Sequence, residues 1–191
     1  MSEYRRYFVP GGSYFFTIVT YQRRPIFADS TNVEYLRAAI RDAKQEMPFE
    51  INAAVILPDH MHFIWTLPGG DSNYSKRIGL MKVSLTQAIK VNQNASLNVS
   101  ASRIKHRESD VWQRRFWEHT IQDEEEFENH FHYIHYNPVK HGYVSCPHLW
   151  KASSFHWWVA NDVYEPYWGC SCEGRKPKPF DFSKIEHTVG E

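Results

Sequence analysis

The chain has 191 residues, with 22 basic and 22 acidic side chains, 42% hydrophobic residues and 16% aromatic residues. This composition supplies a substantial core and excludes an intrinsically disordered chain, while the balanced charge gives no sign of a uniformly basic nucleic-acid-binding protein. The longest apolar run, residues 53–57, is too short to span a bilayer. Because the N-terminal residues also lack a secretion-signal pattern, we expect a cytoplasmic protein.

The first part of the chain predicts a strand, a helix and two further strands. Residues 13–22 are aromatic and β-branched, which is typical of a strand. A helix capped by Ser30 or Thr31 is predicted next, because apolar residues recur there at helical spacing up to residue 43. Residues 49–67 predict two strands that meet at a tight turn around residues 58–59.

The second part predicts two helices separated by a loop and a strand. Residues 74–92 carry an apolar stripe at helical spacing, residues 91–110 are polar and predict a loop, and residues 111–121 predict a strand. Asp123 then caps a third helix whose first turn is acidic. We expect that helix to end near Tyr136, because Pro138 disfavours a helical conformation at Asn137.

This order of elements predicts an α+β fold of the ferredoxin-like or RRM-like kind. Its antiparallel sheet would carry helices on one face, with an additional helix after the last strand. We expect residues 1–145 to form the main domain and residues 146–191 to form a C-terminal extension and tail. The end of that tail predicts weak docking or mobility.

Two histidines stand out on the third predicted strand. Side chains alternate along a strand, so His60 and His62 share one face, while Met61, Phe63 and Trp65 cover the core on the other. Paired imidazoles can bind a divalent ion, although such pairs are often ordinary surface residues.

The third predicted helix could complete that site. Residues four apart stack along a helix, so Tyr133 and Asn137 point the same way. Asn137 offers a carbonyl oxygen to a cation, and the Tyr133 phenol offers a nucleophile for a metal-polarised phosphodiester. Tyr133 could equally be a core residue, and Tyr136 is a rival nucleophile whose own neighbour four residues on is Lys140.

Four stretches together resemble the REP-associated tyrosine transposases, a branch of the single-tyrosine HUH transposases. They are "PDHMHF" (58–63), "WQRRFWEHTI" (112–121), "YIHYNPVKHG" (133–142) and "SSFHWW" (153–158). The resemblance implies that Tyr133 is the nucleophile and that His60, His62 and Asn137 bind Mg²⁺ or Mn²⁺. It also implies cleavage and rejoining of single-stranded DNA near repetitive extragenic palindrome hairpins with flanking guide bases, through a 5′-phosphotyrosine intermediate.

A transposase of this kind would be bacterial and would act at the nucleoid. A monomer is the expected state for this branch, and a dimer is the alternative. DNA would require cationic groups for its phosphates and aromatic rings for its bases. The candidate residues are Arg103, Lys105, Arg107, Arg114, Arg115, Lys140, Lys151, Trp112 and Phe155.

Two other functions fit the same pattern of residues. An RRM-type module would bind single-stranded nucleic acid without cleaving it and without a metal. A metal-dependent nuclease that activates water would cut DNA without a covalent link and would not need Tyr133.

The three cysteines are an odd number, which is not typical of a disulfide framework. Cys146, His148, Cys170 and Cys172 could bind zinc, although their spacing is uneven.

Overall fold

The computed structural model describes residues 8–93, 110–172 and 180–190. It contains an antiparallel sheet of four strands, which are β1 (Ser13–Val19), β2 (Glu50–Ile56), β3 (His60–Thr66) and β4 (Trp117–Thr120). The strand order is β2-β3-β1-β4. Within the described ranges, no helix is both long enough and apolar enough to cross a membrane.

Two long helices, α1 (Ser30–Glu46) and α2 (Tyr74–Gln93), pack on one face of the sheet. A third, α3 (Glu124–Lys140), follows the last strand. Two short helices come after it, α4 (Phe155–Ala160) and α5 (Glu186–Val189). The predicted α+β fold, with two helices on one face and another after the last strand, is confirmed.

The alternation of side chains along β3 gives the sheet two buried faces. Met61, Phe63 and Trp65 point into the core beneath α1 and α2. Ile64 points the other way, into a second core that includes Ile134 of α3. Both sides of the central strands are therefore covered, so a side chain on either face lies away from solvent.

Four predicted boundaries were wrong. Strand β1 ends at Val19 rather than at residue 22, because Tyr21–Arg23 form a short 3₁₀ helix. Helix α1 is capped by Asp29, whose Oδ1 accepts a hydrogen bond from the Thr31 backbone N–H, because a carboxylate in that position satisfies an otherwise unpaired donor. Strand β4 is shorter than predicted, because residues 113–116 leave the sheet and Trp112 keeps only an isolated bridge to Thr20.

The fourth wrong boundary is the end of α3. The helix continues through Pro138 to Lys140, four residues past the expected end. Asn137 and Pro138 are both buried, so the packing of this turn offsets the local cost of a proline within the helix.

Arg77 anchors the start of α2 in the fold. Its side chain is only 1% exposed, and it donates to the carbonyl oxygens of Met47, Pro48 and Asn73. It also forms an ion pair with Asp71, with Nη2 and Oδ2 2.7 Å apart. The buried charge is thus paired and hydrogen-bonded, as burial of a guanidinium requires.

Candidate active site

His60 and His62 lie next to each other on β3, on the face covered by α3. Their ring centroids are 5.0 Å apart, and both residues are at most 1% exposed. Positions two apart on a strand share a face, so this pairing follows directly from the sequence.

Each of these histidines is oriented by a partner at Nδ1. His60 Nδ1 lies 2.6 Å from Asp59 Oδ1, and His62 Nδ1 lies 2.9 Å from Thr17 Oγ1. The Thr17 hydroxyl donates its one proton to the Val189 carbonyl, so it accepts the hydrogen bond from His62 Nδ1–H. Nε2 of His62 therefore carries the lone pair. A carboxylate or hydroxyl behind a histidine is the usual support of a metal-binding imidazole.

Asp59 is held in its charged form beside His60. Burial would raise the pKa of Asp59, but hydrogen bonds from His60 and Arg23 outweigh it and hold that pKa below its usual value. The Arg23 Nη1 atom lies 3.1 Å from Asp59 Oδ2. A carboxylate in this position holds the His60 ring with Nε2 directed away from Asp59.

Helix α3 brings Tyr133 to the same face. The Tyr133 and His62 ring centroids are 5.6 Å apart in an edge-on arrangement. Lys140, two turns further along α3, places its Nζ 2.9 Å from the Tyr133 hydroxyl oxygen and 4.7 Å from the ring centroid. Asn137 lies between Tyr133 and Lys140 in the helix and is fully buried. The phenol thus lies beside both a histidine and a cation.

The phenol is also covered. Tyr133 is only 2% exposed, although its chemistry would require access to DNA. Part of the cover is the segment of residues 180–190, which we call the C-terminal cover. Its Phe182 ring meets the Tyr133 ring edge-on at 5.3 Å, and its Ile185 and Val189 belong to the same core.

Polar groups also fasten the C-terminal cover to the site. The Trp117 Nε1–H donates to the Thr188 carbonyl at 2.7 Å, and His130 Nε2 lies 2.9 Å from the Thr188 hydroxyl. Burial lowers the pKa of His130 from 6.5 to about 4, so this imidazole is neutral at pH 7.

Tyr136 faces away from the histidine pair. It packs on Phe180 at 4.7 Å, with Phe182 at 6.0 Å and Trp168 at 6.3 Å between ring centroids. The geometry therefore favours Tyr133 over Tyr136 as the residue next to a metal.

The candidate DNA-binding residues fall into three groups. Arg114, Arg115, Lys140 and Lys151 are exposed. Arg103, Lys105 and Arg107 lie outside the described residues.

The structure contradicts the predicted DNA-binding role of the other two candidates. Trp112 is 5% exposed and its Nε1–H donates to the Lys82 carbonyl in the main core, while Phe155 is fully buried in the second core. A base cannot stack on a ring that is already packed on both sides. In the C-terminal extension, the rings of Trp157 and Tyr167 are exposed.

The sequence alone did not reveal three residues that contribute to the site. Asp59 and Thr17 orient the two histidines, and the His141 ring centroid lies 5.3 Å from that of His60. Asp59 could have been noticed because it directly precedes the first histidine. Thr17 could not, because its role depends on the pairing of β1 with β3, which places it opposite His62.

Comparison with known proteins agrees with this geometry. A family model described as "Transposase IS200 like" matches residues 9–137, which include His60, His62, Tyr133 and Asn137. The chain belongs to the IS200-like transposase family. Members of this family are enzymes that cleave DNA and transfer strands, and this IS200-like transposase is one of them.

Relatives place this IS200-like transposase in the REP-associated branch. A REP-associated tyrosine transposase of Escherichia coli is 42% identical over 168 residues, covering 88% of this chain and 91% of that protein. A Haemophilus influenzae protein assigned to the same group is 44% identical over 169 residues, covering 88% and 94%. A solved REP-associated tyrosine transposase, bound to a REP hairpin, matches with a TM-score of 0.74 and 38% identity, covering 92% of this chain and 98% of that one.

Proposed function

We propose that this IS200-like transposase cleaves and rejoins single-stranded DNA beside a hairpin, with Tyr133 as the nucleophile. The observation that carries the proposal is the position of the Tyr133 phenol, beside His62 at 5.6 Å between ring centroids and 2.9 Å from the Lys140 ammonium. The solved relative bound to a REP hairpin supports hairpin DNA as the substrate class.

The donor groups suit a divalent metal. His60 and His62 each have Nδ1 engaged by an oxygen, so a metal would be coordinated through Nε2, and Asn137 would add an amide oxygen from α3. Two imidazoles and one carbonyl oxygen fit Mn²⁺ better than Mg²⁺, which prefers oxygen ligands alone. A metal bound there would neutralise charge on the non-bridging phosphate oxygens.

The covalent step uses Tyr133 and Lys140. As the phenol loses its proton to water, the Lys140 ammonium stabilises the negative charge that develops on the oxygen. That oxygen attacks the phosphorus, a Tyr–O–P bond forms, and the bond from phosphorus to the 3′-oxygen breaks. The 3′-oxygen takes up a proton and leaves as a hydroxyl. Attack by a 3′-hydroxyl on the tyrosyl phosphate reverses these changes and rejoins strands without an energy source.

DNA can reach Tyr133 only after the C-terminal cover moves. Phe182 and the hydrogen bonds to Thr188 hold this segment over the site. We infer that the covered form is inactive and that productive hairpin binding displaces residues 180–190.

The proposal is tested with a labelled hairpin oligonucleotide and Mn²⁺. We expect a DNA–protein adduct that survives denaturation, abolished by Tyr133→Phe and retained by the matched variant Tyr136→Phe. Circular dichroism and hairpin binding establish that each variant is folded. An adduct with Tyr133→Phe would reject the nucleophile. Cleavage without any adduct, insensitive to that substitution, would instead identify a nuclease that activates water.

A further inference from the structure

A second cluster of side chains that can bind a metal lies in the C-terminal extension, at residues 146–148 and 170–172. Cys146 Sγ is 3.3 Å from Cys172 Sγ, and Cys170 Sγ is 3.6 Å from His148 Nδ1. The ligand atoms of Cys146, His148 and Cys170 all lie within 4.8 Å of one another. Bonds of ~2.3 Å to sulfur and ~2.0 Å to nitrogen separate tetrahedral ligands by roughly 3.5–3.8 Å. Two sulfurs and one imidazole thus lie within reach of one zinc ion, and Cys172 Sγ, next to Cys146 Sγ, is the fourth donor at the edge of this group.

Backbone contacts hold the two ligand-bearing segments together. The Ser171 N–H donates to the Ser145 carbonyl at 2.8 Å, and the Ser171 hydroxyl donates to the same oxygen at 2.9 Å. Gly169, with φ +67°, turns the chain ahead of Cys170, and a Cβ at that position would lie 3.2 Å from a ring carbon of Tyr136. The segments Cys-x-His and Cys-x-Cys are therefore juxtaposed by contacts that do not involve the ligands.

The burial of the four groups suits a structural metal. Cys146 and Cys170 are buried, and His148 and Cys172 are half-buried. The structure joins Cys146 to Cys170 as a disulfide and leaves Cys172 as a thiol. A disulfide uses two of the four groups and gives no role to Cys172 or His148, whereas a metal uses all four.

We propose that the reduced protein binds one Zn²⁺ through Cys146, His148, Cys170 and Cys172. Reduction of the Cys146–Cys170 bond adds two electrons and two protons, both supplied by a dithiol, or the electrons by a phosphine that becomes its oxide and the protons by water. Binding then releases the protons of three thiols, and the neutral imidazole coordinates through Nδ1. Such a closed Cys₃His set is a structural zinc site, with no position left for a substrate.

The position of the site indicates what the metal would stabilise. Trp168, two residues before Cys170, packs on Tyr164 at 4.5 Å and on Tyr136 of α3 at 6.3 Å between ring centroids. Zinc would therefore fix the C-terminal extension against the helix that carries Tyr133. Chelation should lower the midpoint of thermal unfolding by at least about 5 °C, because a ligand of the folded state stabilises it.

The primary test needs no substitution. The full chain is purified with a phosphine reductant, its three thiols are titrated, and its zinc is measured by mass spectrometry. We expect one zinc per chain, and after exchange for Co²⁺ an intense near-ultraviolet sulfur-to-cobalt band. A protein with three titratable thiols, less than about one-tenth of an equivalent of zinc and no such band would overturn the proposal.

Substitutions separate this site from the histidine pair. Cys172→Ser and His148→Ala should each weaken zinc binding at least tenfold, measured by competition with a chromophoric chelator. His156→Ala, an exposed neighbour, should bind as the wild type does. His62→Ala should keep the cobalt–thiolate band while losing the DNA adduct. Full zinc binding and an unchanged band in Cys172→Ser would overturn the four-ligand assignment.

Discussion

Two buried histidines on α3 should make the protein sensitive to mild acid. Burial lowers the pKa of His130 to about 4 and that of His135 to about 3, from an ordinary value of 6.5. His135 Nε2 lies 2.8 Å from the Ser154 hydroxyl, and His130 Nδ1 donates to the Glu126 carbonyl. Both rings are therefore held neutral in the folded protein.

The sign of the effect follows from proton uptake. Between pH 6.5 and about 4 the unfolded chain binds more protons at these two positions than the folded chain does, so the free energy of unfolding rises with pH. The stability is fully present above pH 6.5 and is lost as the pH falls towards 4. Each pH unit costs about 1.4 kcal/mol per histidine, so at pH 5 the two together cost about 4 kcal/mol.

The measurement is denaturant unfolding at pH 7.5, 6.0 and 5.0. We expect the wild type to lose about 4 kcal/mol more between the first and last of these than the double variant His130→Gln, His135→Gln, which cannot take up the protons. The exposed His156→Gln serves as the control and should follow the wild type. Equal pH dependence in the wild type and the double variant would refute the assignment of the acid sensitivity to these buried rings.

Three further substitutions test the site and the fold. Lys140→Met should slow adduct formation about 10–100-fold, because it removes a charged donor worth ~1.5–3 kcal/mol to the Tyr133 oxygen. Phe182→Ala should speed cleavage about tenfold, because losing roughly 1.4 kcal/mol of packing favours the uncovered form. Arg77→Met should destabilise the protein by about 3–5 kcal/mol in denaturant unfolding, because the carbonyl oxygens of Met47, Pro48 and Asn73 then lose a charged donor.

Each of these substitutions has a matched control at an exposed position. Lys90→Met should leave the rate of adduct formation unchanged. Lys184→Ala removes only an exposed ion pair between the C-terminal cover and Glu125, so it should alter cleavage much less than Phe182→Ala does. Arg37→Met breaks only an exposed pair with Glu34 and should cost less than about 1 kcal/mol. If a control variant changed the measured rate or stability as much as the variant it is matched to, the explanation given for that variant would be wrong.

The parts of the site that could be predicted are those governed by local periodicity. The period of a strand places His60 and His62 on one face whatever surrounds them, and the period of a helix places Asn137 one turn after Tyr133. The end of α3 was predicted wrongly, because burial of the turn at Pro138 outweighs the local preference of a single residue.

The remaining features depend on contacts between distant parts of the chain. Nothing near Trp112 or Phe155 in sequence reveals that both are core residues, and the packing of Phe182 on Tyr133 spans 49 positions. Cys146 and Cys170 were recognised in the sequence as possible ligands of one zinc ion, but their separation of 24 residues does not by itself show that they meet. Such pairings follow from the path of the C-terminal extension, which local patterns do not encode.

The placement of Tyr133 beside His62 within one polypeptide has a consequence for how the enzyme can work. In the proposed mechanism, all the groups assigned to chemistry come from β3 and α3 of one molecule, so the mechanism needs no tyrosine from a second copy. The rate per molecule should then be independent of enzyme concentration. A single copy arriving at a hairpin would be able to begin the reaction alone.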